Sequence, residues 1–299
     1  MRKNLNLDEL CQLFQEKGIV LDENKIEYAK QKIKAIGYYK LKALAIPYEK
    51  VVYKNLTFDQ LVNRFYQDKN LRIAIFHAIE SIEVFLNRVV STVLGSDKLG
   101  PFGYLKFSNW CDIDGFDKEK ILHEQKDFQK DLLKKMNRSN LPDFKKSKNK
   151  NKDGFPTIWL MTDCLSLGDT MRLIKIMSKD NFIKIEREFN LEKSEKVNKN
   201  LKSWLYCLNF IRNQCAHNES LVDIYLKTGP KQVYAYKDYY NDEKTIASVI
   251  FIIKYLISKI EPDYNFKGIY DPLKSIINND KQNAQMLGFE NVEAIEKVL

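Results

Sequence analysis

The chain has 299 residues, 44% of them hydrophobic and 30% charged, which is enough apolar material for a packed core and rules out disorder as the main state. Glycine (11) and proline (7) are scarce, at about half their usual share. That excludes turn-rich sandwiches, barrels and propellers and points to an all-α protein. The formal net charge of +9 favours polyanionic partners, because each neutralised phosphate releases counterions. The basic residues are mostly lysine, however, and a lysine-rich composition produces the same surplus without any such partner.

Apolar spacing predicts helices along most of the chain. Leu7, Leu10, Cys11 and Phe14 form one stripe, and Ile26, Ala29, Ile33 and Ile36 a second. Gly18 and Gly37 stand where helices end. A short helix over 38–48 closes at Pro47. Thr57 and Gln60 make a capping box for a helix to about Gln67, and a longer one spans Leu71 to Leu94, stopped by Gly95. Ile73, Phe76, Ile79, Ile82, Val84, Phe85 and Val89 nearly encircle this longer helix, which places it at the centre of the fold. Residues 95–117 are an irregular, glycine-rich connection, followed by a charged helix from Asp117 to Met136.

Between Lys134 and Lys152 lie eight basic residues against one acid, Asp143. The run is either a solvated, flexible loop or a contact for RNA through Lys145, Lys146, Lys148, Lys150 and Lys152. Pro156 is expected at the first turn of a helix to Ser166, and Asp169 as the cap of another to Met177. A long helix comes next, from Ser194 to about His217. Lys231–Tyr236 could be a hairpin arm. Helices are expected over 244–260 and 271–279, the second capped by Asp271 ahead of Pro272, and over 283–299 around a break at Gly288.

The five cysteines are odd in number and form no C-x-x-C, which suits reduced thiols. The N-terminus has no signal-peptide core, and the apolar run Ile246–Ile253 is far shorter than the roughly 18–20 residues that span a bilayer. A cytoplasmic location, with no membrane segment, is the expectation. No cofactor, metal-binding or nucleotide-binding motif is present in the sequence.

Chemistry concentrates in Arg212-Asn213-Gln214-Cys215-Ala216-His217. An arginine and a histidine at one phosphodiester can cut RNA without a metal. An imidazole moves protons near neutral pH, and a guanidinium holds the charge building on phosphate oxygens. On a helix Asn213 and His217 share a face, whereas Arg212 lies about 140° from His217. The two converge only where the helix ends or bends, or across two copies of the chain. The same spacing recurs at Arg72–His77 around apolar residues, where His77 reads as a core or groove histidine. His123, in a charged helix, reads as solvated.

These residues resemble the Abi-like family, the AbiD/AbiF group of bacterial abortive-infection proteins that carry a HEPN ribonuclease motif. The likeness runs through Lys17-Gly18-Ile19, Ile36-Gly37-Tyr38-Tyr39-Lys40-Leu41, and Asp68, Leu71-Arg72 and Ile79-Glu80-Ser81-Ile82-Glu83. It continues through Pro156-Thr157-Ile158-Trp159 and Ser166-Leu167-Gly168 to Ile211-Arg212-Asn213-Gln214-Cys215-Ala216-His217-Asn218, which fits the RNxxxH signature, and a tail motif at Met286-Leu287-Gly288-Phe289. Asn87 departs from the family pattern, in which an arginine follows the central Glu83. The resemblance implies an all-α HEPN-like helical bundle over 56–260, including the basic loop of 134–156, with an N-terminal helical segment over 1–55 and C-terminal helices over 261–299. It also implies a homodimer with a composite cleft, a toxin-like role in phage defence and a partner noncoding RNA. Arg212, Asn213 and His217 would be catalytic, with Glu83 and Arg88 in support. The alternatives are a non-cleaving protein that holds a structured RNA, and a purely structural helical scaffold.

Overall fold

A computed structural model describes residues 4–48, 56–96, 98–193 and 200–299. Three short helices come first: α1 (Leu7–Glu16), α2 (Ile26–Ile36) and α3 (Tyr38–Ala45). Next is α4 (Phe58–Leu94), followed by α5 (Lys118–Arg138), α6 (Ile158–Met161), α7 (Leu167–Ile176) and α8 (Lys179–Glu188). The remainder is α9 (Asn200–Ala216), α10 (Ile246–Ile260), α11 (Lys267–Ile277) and α12 (Lys281–Met286), with 3-10 turns between helices. Among the described residues there is no strand, only isolated bridges such as Val20 with Thr57. The protein is all-α.

The organising element is α4. It is 37 residues long, about 55 Å of continuous helix, opened by the capping box of Thr57 and Gln60. It packs against α3, α6, α7, α8, α9, α10 and α11. The two helices expected here are one, because the polar stretch between them is satisfied by distant partners. Gln67 donates to the Ser275 carbonyl at 3.0 Å, and Asp68 is buried and fully hydrogen-bonded. The expected all-round burial is corrected. Ile73 is 60% and Val84 65% exposed, so α4 presents a stripe of Ile73, His77, Glu80 and Val84 outward.

Other boundaries follow tertiary packing where local signals suggest otherwise. Pro156 bridges to Lys150, so it precedes α6, which is a single turn. Ser166 caps α7, with Asp169 completing the box from the third position. Helix α8 has no counterpart among the expected helices, although Ser178 caps it and Phe182, Ile185 and Phe189 pack along it at helical spacing. The expected start at Ser194 lies outside the described residues.

Lys231–Tyr236 is no hairpin; it ends in a 3-10 turn, Tyr234–Tyr236. Tyr236 stacks on Phe251 of α10 at 5.0 Å, and the Lys231 carbonyl accepts from the Trp204 indole at 2.7 Å. Helix α11 begins before Asp271 and contains Pro272. Burial of Ile269, Tyr270, Leu273, Ile276 and Ile277 outweighs the one hydrogen bond the proline forgoes. Gly288 breaks the tail at φ +89°, and a Cβ there would stand 1.8 Å from the Thr245 hydroxyl.

Candidate functional site

The RNxxxH residues occupy the last turn of α9. Leu201, Trp204, Leu205, Leu208, Ile211 and Cys215 are its buried face; Asn213 and His217 stand on the exposed one. The helix is closed by a Schellman arrangement. The Glu219 amide donates to the Gln214 carbonyl (3.0 Å) and the Asn218 amide to that of Cys215 (3.2 Å), with Asn218 left-handed at φ +59°. His217 is therefore the C-cap residue. Cys215, inside the motif, is inert as a nucleophile, since burial pushes its thiol up to about 12.

The segment after α9, residues 218–223, is bolted to α4. Arg72 donates through Nε to Asp68 (2.8 Å) and through Nη1 to the Asn218 side chain (3.1 Å). The second oxygen of Asp68 accepts from the Leu221 amide (2.7 Å), the Val222 amide (3.1 Å) and the Ser220 hydroxyl (3.1 Å). Lys40 of α3 donates to the Asn218 carbonyl at 3.0 Å. Arg64, buried, pairs with Asp223 at 2.5 Å. Asp68 and Arg72 thus hold the end of α9 in place, a role that residue order alone does not assign to them. The signal it does carry is their i, i+4 spacing inside a helix, which puts acid and base on one face. The second R-x4-H is resolved by the same geometry: Arg72 is a strut, while His77 meets the Tyr264 hydroxyl at 2.9 Å.

Arg212 points elsewhere. It lies over the ring of Phe76 at 5.5 Å, and its Nε stands 3.6 Å from Glu83 Oε2. That nitrogen is buried and makes no hydrogen bond. Glu83 Oε1 accepts the Leu167 amide, at the start of α7, at 2.8 Å. Burial raises the Glu83 carboxyl above its ordinary range, against the opposing pull of Arg212 and of the Leu167 hydrogen bond. The two side chains border a groove of about 690 Å³ whose other polar walls include Glu80, Asn87, Arg88 and Asp163. Arg88 is half committed to Glu188, at 3.2 Å.

The structure therefore brings Arg212, Glu83 and Arg88 to one groove and leaves Asn213 and His217 outside it. The basic run is a folded loop. Phe144 is buried, Asn149 donates to the Asp143 carbonyl at 3.0 Å, and Asn151 accepts from the amides of Asp153 and Phe155. Lys145, Lys146, Lys148 and Lys152 are exposed and Lys150 is half-buried. Lys146 pairs with Asp143 at 2.7 Å, while Lys135, on α5, pairs with Asp169. Leu141, at the start of this loop, forms part of the Arg212 groove; none of the lysines lines it.

A helical protein built on one long central helix, with an Arg-Asn-x-x-x-His turn pinned beside it, is the class that these features define. The sequence pattern of Abi-like proteins matches residues 31–223, well over half of the chain, and the chain belongs to that family. No curated protein and no solved structure matches it. Among the described residues no helix is long and apolar enough to cross a membrane.

Proposed function

We propose that this chain is a HEPN-type endoribonuclease toxin of abortive infection that cuts RNA without a metal and is restrained by a partner noncoding RNA. The observation that carries the reading is the end of α9. A guanidinium whose Nε makes no hydrogen bond, an exposed amide and an exposed imidazole lie close together along the helix and are held there by a buried ionic network. Membership of the Abi-like family supports the role in phage defence.

In the proposed reaction the imidazole of His217 takes the 2′-hydroxyl proton and the 2′-oxygen attacks phosphorus. The P–O5′ bond breaks, and the 5′-oxygen takes up the proton carried by the imidazolium, giving a 2′,3′-cyclic phosphate and a 5′-hydroxyl. Arg212 stabilises the charge on the phosphate oxygens, and Asn213 orients phosphate or imidazole. Arg212 and His217 diverge around the helix, so two copies of the chain are needed to place both groups on one phosphate. A homodimer is part of the proposal. The exposed Ile73 and Val84 of α4, the latter beside the Arg212 groove, are the apolar surface available for it.

The test is gel-resolved cleavage of total and tRNA-enriched RNA in EDTA, wild type beside His217→Ala. Cyclic-phosphate products from wild type alone are expected. Equal cleavage by both proteins overturns the assignment. The second reading, a protein that holds a structured RNA without cutting it, is favoured by the contact of Arg212 with Glu83, which turns the guanidinium away from His217. RNA binding by both proteins with no product from either would establish it.

A further inference from the structure

The face of α9 that carries His217 carries more than the motif. Tyr206, Phe210, Asn213 and His217 follow at i, i+4, i+7 and i+11, the spacing of a single helical stripe, and all four are exposed. Tyr206 is 40% and Phe210 46% exposed, an unusual position for two aromatic rings on a helix whose opposite face is fully buried. Together with Tyr225, 65% exposed, and Lys227 they line a groove of about 610 Å³. Lys244 stands over the Tyr225 ring at 5.6 Å. By helix rise, Phe210 lies about 10 Å from His217 along the axis and Tyr206 about 16 Å.

Charge separates this groove from the one beside Arg212. That one has Glu80, Glu83 and Asp163 beside Arg88 and Arg212, a mixed lining in which carboxylates offset the two guanidiniums. The aromatic groove has no carboxylate on its walls and one lysine. Exposed rings beside lysines, with no carboxylate among the wall residues, are the composition that binds single-stranded nucleic acid, with bases stacking on the rings and phosphates following the positive charge.

We infer that Tyr206, Phe210 and Tyr225 form a base-stacking subsite for single-stranded RNA, continuous with the His217 face, which leads the strand to the proposed catalytic turn. The subsite extends the ribonuclease reading, on which it rests, by naming where flanking bases lie. It selects unpaired RNA, because a base must leave its helix to stack on a side chain.

The experiment measures affinity of a short fluorescein-labelled oligouridylate, and of an abasic oligomer of equal length, for the full chain in a His217→Ala background. Phe210→Ala and Tyr225→Ala should each weaken oligouridylate binding roughly 5- to 100-fold, by the same factor at every salt concentration. Binding of the abasic oligomer should stay unchanged. Phe210→Tyr and Tyr225→Phe keep a ring and should keep the affinity, which separates lost stacking from lost folding. Affinities within twofold of the parent overturn the inference. So does a loss of self-association in the alanine variants with RNA affinity unchanged, which would make the groove a contact between copies. Cleavage by otherwise wild-type protein distinguishes the two proposals. Ring-dependent binding without cleavage leaves the subsite standing and removes the ribonuclease; cleavage indifferent to both rings does the reverse.

Discussion

Asp68 is the residue on which the candidate site most depends. Its carboxylate is buried, pairs with Arg72 and accepts three further hydrogen bonds from the segment after α9. Asp68→Ala leaves the Arg72 guanidinium uncompensated in the interior, and a loss of about 3–5 kcal/mol is expected in urea unfolding. The same variant should free the turn at 217–222, read as faster amide exchange there. At Glu83, burial raises the carboxyl above the ordinary 4.5. The folded state therefore binds that proton more tightly than the unfolded chain does. The stability linked to Glu83 is full below pH 4.5 and is lost as pH rises through the elevated folded value. Glu83→Gln should remove this decline from a pH series of melting temperatures while keeping an acceptor for the Leu167 amide. An unchanged pH profile would show that Glu83 is solvated. Residue order singles out Glu83, yet cannot place it beside Arg212, since its neighbours come from α7 and α9, far along the chain.

At the scale of elements, the capping box of α7 links local chemistry to the site. Ser166 caps the helix whose first amide holds Glu83, so Ser166→Ala should cost about 1 kcal/mol and speed amide exchange at Leu167. Asp169 of the same box is buried, which by itself would raise its carboxyl. Hydrogen bonds from Lys135 and Ser166 outweigh burial and hold it below 3.8. That contribution is present above pH 3.8 and is lost as pH falls through the lower folded value; Asp169→Asn should flatten the acid limb of the stability curve. Caps and stop signals are legible where they are local: Thr57–Gln60, Asp117, Gly37 and Gly95 all stand at helix ends. They fail where packing outvotes them. Pro272 and Asp271 read as a helix start, but five buried apolar side chains carry α11 through both.

At the scale of the whole molecule, the proposed RNA binding would draw its salt-dependent part from the basic loop. The exposed Lys145, Lys148 and Lys152 replaced together by glutamine should weaken binding to all RNAs alike and reduce the slope of log affinity against log salt by about 2. A slope that does not move would remove the loop from the interface. The ordered turns around Phe144 and Asn151 keep these lysines on a defined surface, where the charge run alone suggests a flexible segment.

The helical architecture, the central position of the long helix and the polar turn from Arg212 to His217 are readable from residue order alone, because periodicity and capping depend on neighbours a few positions apart. Folding in three dimensions settles what residue order leaves open. Arg212 turns to Glu83 and His217 to solvent, Asp68 and Arg72 lock the end of α9, and three aromatic rings share one groove free of carboxylates. Each of these depends on partners well beyond the reach of a helical repeat, many of them more than a hundred positions away. Spacing on one helix says which face a side chain takes, and only the packed chain says what meets that face.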